Sequence, residues 1–376
     1  MRSIAVFHLF FSIPSLIVIA RWLVPLSLPL GWKLAGALLL LVASQYHFWS
    51  RLSSGSVFAP EFPRAIVLLF NGAFGAILLL AVLQIALDVS GVVGWLVTRG
   101  TWHMPDAARY AVAVLALMLA AIGVANASRV PPVKDVAVAI PYLPSAFEGY
   151  RLLQLTDLHL SRLFTARWAT AVVARANASG VDAIVVTGDF IDSSVAMRRA
   201  DVAPLADLRA PDGVWAVPGN HEYFFDYADW MRHLIGLGIR MLPNAHTVLH
   251  RDDAALVLAG VTDASARGAG QAGPDLAAAL AGTPPAAPII LLDHQPRNAR
   301  AAAAAGVALQ LSGHTHGGMI AGMAKLLEPA NAGFVSGAYR VGDMTLYVSN
   351  GTGLWPGFAL RLGRPSEMTR FTLHRA

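Results

Sequence analysis

The feature that most constrains this chain is a set of long apolar segments confined to its first 130 residues. They cover residues 4–20, 34–49, 65–87 and 108–127. A membrane-spanning helix needs about 20 mainly apolar residues, which the third and fourth segments supply, whereas the second is short enough for an interfacial or re-entrant helix. We therefore predict a transmembrane region of about four helices over residues 1–130. A cleaved signal peptide is the alternative for the first segment.

Composition supports a membrane protein and limits its chemistry. Hydrophobic residues make up 56% of the chain and charged residues 14%, against roughly 45–50% and 25% in ordinary soluble domains. The chain has no cysteine, which excludes disulfides, thiolate metal ligands and a cysteine nucleophile. The net charge of +5 is spread along the chain without a basic stripe, so we do not expect nucleic acid as a partner.

Charged residues beside the apolar segments give a weak indication of orientation. With four crossings, both termini lie on the same side of the membrane. The basic residues sharing the side of the C-terminal domain are then Arg2, Arg51, Arg64, Arg129 and Lys134, and those opposite are Arg21, Lys33, Arg99 and Arg109. Because Lys and Arg favour the cytoplasmic side, we predict a multi-pass protein of the cell membrane whose C-terminal domain is cytoplasmic by a narrow margin.

The character of the sequence changes near Arg129-Val130-Pro131-Pro132, and we predict a second domain over residues 131–376. Its strand candidates are 134–140, 151–156, 183–187, 214–217, 256–260, 288–292, 307–311 and 345–349. Its helix candidates are 166–179, 197–209, 226–237, 274–281 and 296–305. Strands alternating with helices indicate an α/β domain whose sheets are covered by helices.

Polar residues follow five of these strands at the point where each strand ends. They are Asp157 and His159, Asp189, Asn220 and His221, His294, and His314 and His316. In open α/β sheets ligands bind beyond the carboxyl ends of the strands, so separate loops are expected to converge on one site. Carboxylate, imidazole and amide ligands without sulfur suit manganese, iron, zinc or magnesium, and a shared carboxylate can bridge two ions.

Taken singly, most of the motifs are more often an ordinary turn or loop, and for His314-x-His316 the two interpretations are equal. Their order along the chain resembles that of the calcineurin-like metallophosphoesterase superfamily. The motifs are, in sequence, Asp157-x-His159, Gly188-Asp189, Gly219-Asn220-His221-Glu222, His294 and Gly313-His314-x-His316. The resemblance covers about residues 133–376 and implies a two-sheet αββα sandwich. It also implies two divalent ions. The first would be held by Asp157, His159 and His316, the second by Asn220, His294 and His314, with Asp189 as the bridge.

The same resemblance gives His221 a different role. It implies that His221 contacts the phosphoryl oxygen and acts as general acid toward the leaving group without binding metal. Asp192 and Asp293 are candidates for carboxylates that do not bind metal themselves but hydrogen-bond the metal-binding histidines and orient them. A helix cap or turn is an equal alternative for both. Glu222 is expected to fix nearby backbone.

Two aromatic clusters suggest a hypothesis about substrate. One comprises Tyr223, Phe224, Phe225, Tyr227 and Trp230, and the other Leu354, Trp355, Pro356 and Phe358. They would form an apolar wall or a membrane-dipping lip for a lipid-linked phosphoester. The alternative is ordinary core packing.

Together these features predict a membrane-anchored metallophosphoesterase. It would hydrolyse a phosphomonoester or phosphodiester by a hydroxide activated between two metal ions, with no organic cofactor. The alternative within this class is a lipid-linked pyrophosphate hydrolase of the UDP-diacylglucosamine type. A non-catalytic membrane receptor is disfavoured because all the expected ligands are present. A transporter is disfavoured because the apolar segments contain few charges.

Overall fold

The computed structural model describes residues 12–102 and 104–376. These form two compact units, which we call the helical unit and the sheet unit. The sheet unit comprises Ser128–Trp355 and Gly363–Ala376, and the helical unit lies before it in the chain. The helical unit also contains Pro356–Leu362, which we call the return segment. The first predicted apolar segment, 4–20, falls partly outside the described residues.

The helical unit contains two helices with the length and composition needed to cross a membrane. Its helices are α1 (Ser12–Leu23), α2 (Leu30–Ser44), α3 (Tyr46–Ser54), α4 (Arg64–Val97) and α5 (Asp106–Ser128). At 1.5 Å per residue, α4 and α5 are about 51 Å and 35 Å long, against a bilayer core of about 30 Å. The predicted second segment is divided at Gln45 into two shorter helices. Within the described residues, two long apolar helices therefore stand where about four were predicted.

A buried asparagine in α4 is satisfied by the return segment. Asn71 Nδ2 donates to the Pro356 carbonyl over 2.8 Å, and Asn71 Oδ1 accepts from the Ala359 N–H over 2.6 Å. A polar group in an apolar helix must find partners inside the protein, and the return segment provides them. Phe358 also packs edge-on against Phe74 of α4. Pro356 and Phe358, placed by the aromatic hypothesis beside the site, are thus core residues of the helical unit.

The sheet unit is built on two six-stranded mixed sheets. Its strands are β1 (Val133–Ile140), β2 (Arg151–Leu155), β3 (Ala183–Thr187), β4 (Val214–Val217), β5 (Arg240–Met241), β6 (Ala245–Arg251), β7 (Ala254–Gly260), β8 (Ile289–Leu292), β9 (Leu309–Ser312), β10 (Gly337–Val341), β11 (Met344–Val348) and β12 (Met368–Arg375). The first sheet has the order β1-β12-β2-β3-β4-β5 and the second β10-β11-β9-β8-β7-β6. One apolar cluster joins side chains of both sheets. The α/β prediction with two sheets is confirmed.

Helices of the sheet unit follow the sequence pattern with local differences. They are α6 (Ala166–Asn177), α7 (Val195–Val202), α8 (Asn220–Phe224), α9 (Tyr227–Gly236), α10 (Leu276–Leu280), α11 (Ala299–Ala304) and α12 (Ala324–Leu327). The predicted helix 197–209 ends early and continues as the tighter turn Ala203–Asp207, which contains Pro204. Proline lacks the N–H that an α-helix interior needs. Side chains of α10 and α11 contribute to an apolar cluster with the second sheet.

All eight predicted strands occur, and four further strands were not predicted. β12 lies between β1 and β2, parallel to the first and antiparallel to the second. Its burial alternates because Phe371 and Leu373 face the core while Arg370 and His374 are partly exposed. Arg370 pairs with Asp135 on β1. Because charged and apolar residues are mixed in this segment, the sequence pattern did not reveal a strand that lies inside the sheet, next to its edge strand β1.

Candidate metal centre

The predicted ligands converge because their strands are neighbours in each sheet. β2, β3 and β4 are adjacent and parallel in the first sheet, and β8 and β9 are adjacent and parallel in the second. The loop after each strand therefore opens at the same sheet edge. All seven predicted ligands, Asp157, His159, Asp189, Asn220, His294, His314 and His316, meet there.

Their ligand atoms fall into two main groups. One comprises Asp157, His159 and His316, and the other Asp189, His294 and His314. Within each group the ligand atoms lie within 4.8 Å of one another, close enough to share an ion. A third, overlapping group contains His159, Asp189 and His221.

Asp189 stands between the two main groups. Its Oδ2 lies 3.3 Å from His294 Nε2 on one side and 3.7 Å from His159 Nε2 on the other. Its Oδ1 accepts a hydrogen bond from the His221 backbone N–H over 2.9 Å. This carboxylate therefore lies within reach of both groups.

The second group has donors arranged to face a cation. His294 Nδ1 lies 2.7 Å from the Thr187 carbonyl, so Nδ1 carries the proton in the neutral ring and Nε2 presents a lone pair. That Nε2 is 3.0 Å from Asn220 Oδ1, which is also 2.8 Å from His314 Nδ1. Two acceptor atoms this close repel unless a proton or cation lies with them. The donor set fits a divalent ion.

In the first group, His159 also presents a ring nitrogen that is free to bind a cation. His159 Nδ1 lies 3.1 Å from Asp192 Oδ2, which leaves Nε2 as the ligand atom. Among the described residues, this buried Nε2 has no hydrogen-bond partner. The Asp157 carboxylate is fixed by the Thr156 hydroxyl at 2.9 Å and by the His314 backbone N–H at 3.1 Å. A buried, unpartnered ring nitrogen beside a fixed carboxylate again fits a metal ligand set.

At Asp189 and His314, electrostatics favour the protonation states that metal binding needs, whereas burial raises the pKa of Asp157 and the Asp189 charge, against the effect of burial, raises that of His294. Against the effect of its burial, His294 and His221 hold the pKa of Asp189 well below its usual range. Burial, together with the nearby His294, lowers the pKa of His314 to about 3. An ionised carboxylate and a neutral imidazole are the forms that bind metal ions.

His221 differs from the ligands in its contacts and charge. Its Nδ1 lies 2.5 Å from Asp192 Oδ1, and its Nε2 is 4.0 Å from Asp189 Oδ2. Against the effect of burial, Asp189 and Asp192 raise the pKa of His221 to about 9. The ring is therefore held as an imidazolium near neutral pH, a state suited to giving up a proton. Asp192, predicted from sequence as a supporting carboxylate, contacts both His159 and His221.

The backbone of the candidate ligands is strained. Five of them have a positive φ, namely Asp157 (52°), His159 (45°), Asp189 (56°), His314 (70°) and His316 (50°). Residues other than glycine held in this region cost on the order of 1–3 kcal/mol each and cluster at functional sites. The strain is concentrated where the side chains have to converge.

Glu222 and Asp293 brace the loops that bear these residues. The buried Glu222 carboxylate accepts from the backbone N–H groups of Asp189 (3.0 Å), Phe190 (2.8 Å) and Gly219 (2.6 Å). It therefore ties the loop after β3 to the loop after β4. Asp293 is buried, and its carboxylate accepts from Asn298 Nδ2 over 3.4 Å. Asp293 thus holds the loop after His294.

One part of the site was not predicted from sequence. In residues 349–355, the Thr352 N–H donates to the Thr156 carbonyl over 2.8 Å and the Gly353 N–H donates to the Asp157 carbonyl over 2.9 Å. A Cβ on Gly353 would lie 2.4 Å from the Leu158 carbonyl oxygen. The available signal was Asn350-Gly351 directly after a predicted apolar strand, the same pattern that marked the other loops.

Arg297 was also missed. It follows His294 by one turn and lines an open cavity together with Asn220 and His314. A single arginine within a Gln-Pro-Arg-Asn turn has no distinguishing signal in the sequence.

Comparison with known proteins identifies relatives that are named metallophosphoesterases. A family profile described as calcineurin-like phosphoesterase matches residues 150–318. Proteins named transmembrane protein with metallophosphoesterase domain are 34% identical over 275 residues in Danio rerio and 37% identical over 289 residues in Bos taurus. These alignments cover 70% and 72% of this chain but 62% and 63% of the relatives, so the chain spans less than two thirds of their length. An uncharacterized metallophosphoesterase of Campylobacter jejuni is 32% identical over 264 residues, covering 69% of this chain and 68% of that protein.

Proposed function

The chain belongs to the calcineurin-like phosphoesterase family, and we propose that it is a membrane-anchored, metal-dependent phosphoesterase. The observation that supports this most is the convergence of seven ligand-type side chains into two groups with Asp189 between them. A receptor that had only kept the fold would be under no pressure to keep every ligand. We take residues 131–376 as the catalytic domain.

We propose that the centre holds two divalent ions. Asp157, His159 and His316 would hold the first ion, Asn220, His294 and His314 would hold the second, and Asp189 would serve both. When bound, such ions lower the pKa of a water molecule toward neutrality and offset the charge of the phosphoester oxygens. The ligands suit manganese, iron, zinc or magnesium.

His221 is the proposed general acid. Its imidazolium donates a proton to the leaving-group oxygen as the phosphorus–oxygen bond breaks. Asp192 holds the ring through Nδ1 and keeps it charged, so that Nε2 delivers the proton. The substrate is a phosphomonoester or a phosphodiester.

The proposal is tested on the intact, detergent-solubilised protein with bis-p-nitrophenyl phosphate. Hydrolysis should require added divalent metal and should stop with EDTA. Asp189→Asn should lose bound metal and rate together, whereas His221→Ala should lose rate and keep its metal. An ester with a poor leaving group belongs in the assay because an activated one needs little protonation. Hydrolysis by the metal-free protein would overturn the proposal.

We further propose that the chain is a multi-pass protein with about four crossings of the cell membrane. The lengths of α4 and α5 support two of these crossings. The five-against-four distribution of basic residues favours a cytoplasmic catalytic domain. The test is a C-terminal fusion to a reporter enzyme that is active only outside the cytoplasm. If the catalytic domain is cytoplasmic, this reporter should be inactive.

The lipid-linked alternative has no separate support. Pro356 and Phe358, two of the four residues in the second aromatic cluster, belong to the core of the helical unit. Phe224 remains beside His221 with 46% of its surface exposed. It supports an apolar contact for a leaving group and does not specify a lipid.

A further inference from the structure

An open cavity adjoins the candidate metal centre at Asn220 and His314. Phe224, Gln295 and Arg297 also line it. Among the described residues of this wall, Arg297 has the one side chain with a permanent positive charge. The cavity therefore combines candidate metal ligands, an aromatic surface and a cation.

Arg297 has hydrogen-bonding capacity left for an anion. Its Nη2 donates to the Ala330 carbonyl over 3.1 Å, which steadies the side chain. A guanidinium has five N–H donors in a fixed fork, so others remain for a carboxylate or phosphate. Its neighbour Gln295 is already engaged, because Nε2 donates to both carboxylate oxygens of Asp263 at 3.0 Å and 2.9 Å. Arg297 is thus the charged donor that a ligand in this cavity meets.

The position of Phe224 indicates which part of a substrate enters the cavity. The ring centroids of Phe224 and His221 are 5.2 Å apart. His221 is the proposed general acid, so the leaving-group oxygen has to lie beside it. A leaving group extending from that oxygen passes over Phe224 into the cavity that Arg297 lines.

We propose that this cavity is the leaving-group subsite and that Arg297 selects phosphoesters whose leaving group carries a second anionic group, a carboxylate or a further phosphate, beyond an apolar portion. This inference rests on the proposed function. In the reaction, the oxygen of a hydroxide bonds to phosphorus, the bond from phosphorus to the leaving oxygen breaks, and that oxygen takes the proton of His221, which regains a proton from solvent before the next turnover. The second anion takes no part in bond breaking and contributes to binding.

Two matched esters test the inference with the metal-loaded, full-length protein. Methyl 4-nitrophenyl phosphate and methyl 3-carboxy-4-nitrophenyl phosphate differ by one carboxylate on the leaving group. The wild-type protein should favour the carboxylated ester in kcat/KM. In Arg297→Gln the ratio of the two kcat/KM values should fall about tenfold, which is the typical effect of one hydrogen bond to a charged group. The ratio for Arg297→Lys should lie between those of the wild type and Arg297→Gln, because lysine keeps the positive charge but lacks the paired N–H donors of the guanidinium.

Arg300→Gln is the matched control. Arg300 is also an exposed arginine that donates to a carbonyl of the same loop, at Ala332, but it does not line the cavity. Its selectivity ratio should equal that of the wild type. An equal fall in Arg297→Gln and Arg300→Gln would mean that surface charge alone is responsible, and an unchanged ratio in Arg297→Gln would overturn the inference.

Binding of the two product phenols separates this inference from the proposed function. By calorimetry, 5-hydroxy-2-nitrobenzoate should bind the wild-type protein more tightly than 4-nitrophenol does, and Arg297→Gln should remove that advantage. This measurement needs no turnover. If neither ester is hydrolysed, the proposed function fails while the binding difference still decides the role of Arg297. Equal binding of the two phenols to the wild type would overturn the subsite.

Discussion

At the scale of single residues, Asp192 is the side chain on which two functions depend. One oxygen contacts Nδ1 of the candidate ligand His159 and the other contacts Nδ1 of His221. A single carboxylate thereby orients a candidate metal ligand and favours the protonated form of the proposed acid. The sequence placed Asp192 three residues after Asp189 but left a helix cap as an equal alternative. Only the folded loop brings it between the two rings.

Asp192→Asn should shift the pH dependence of hydrolysis. The proposed mechanism requires the acid form of His221, and Asp189 and Asp192 raise its pKa to about 9 against the effect of burial. Removing one of these charges lowers that pKa, so the alkaline limb of the kcat profile should move to lower pH by about one unit, equivalent to about 1.4 kcal/mol. The profile should be measured with an ester that has a poor leaving group.

The control for this shift is Asp293→Asn. It also removes a buried carboxylate near the site, but that carboxylate hydrogen-bonds Asn298. Its alkaline limb should stay where it is in the wild type. If Asp192→Asn changes the rate without moving the limb, Asp192 acts on geometry alone.

At the scale of elements, the candidate ligands were predictable because apolar strands ended in polar residues, and this pattern is local. β3 has five buried residues followed by Gly188-Asp189, which a sequence displays directly. β12 and β6 carry charged or histidine residues that face outward, so their pairing depends on distant partners. The positions of β6 and β12 in the sheets depend on tertiary contacts, which a local sequence pattern does not contain.

Gly353→Ala tests how far the loop of residues 349–355 holds the metal centre. A Cβ at Gly353 would lie 2.4 Å from the Leu158 carbonyl oxygen and 2.9 Å from that of Asp157, both backbone atoms that cannot yield easily. The loop bearing Asp157 and His159 should shift, and metal affinity should fall by about tenfold, within the range typical for mutations of groups that orient ligands. Metal content after dialysis against graded chelator gives the measurement.

Gly236→Ala provides the comparison for this variant. A Cβ there meets nothing within 4 Å, and Gly236 lies at the end of helix α9. This substitution should keep wild-type metal affinity. A Gly353→Ala protein that also binds metal normally would show that the loop adapts and does not control the position of Asp157.

At the scale of the whole molecule, the chain crosses between its two units more often than the sequence indicated. The composition change near residue 130 suggested one passage from membrane region to catalytic domain. The return segment adds two more, since the chain leaves the sheet unit after Trp355 and re-enters it at Gly363. Seven residues are too short for a hydropathy pattern, and their membership in the helical unit depends on partners such as Asn71, far away in sequence.

The return segment predicts how a fragment of residues 128–376 will behave. In the intact chain Phe358 and Leu360 are 8% and 0% exposed within the helical unit. Without α1–α5 these side chains lose their apolar surroundings, and exposed apolar patches promote association. The fragment should therefore elute as aggregates from a detergent-free size-exclusion column. Phe358→Ser with Leu360→Ser should restore a monomer-sized peak, whereas Val133→Ser with Ala137→Ser, at a partly exposed and an exposed position of β1, should not. A wild-type fragment that elutes as a monomer without detergent would mean that the return segment is accommodated equally well outside the helical unit.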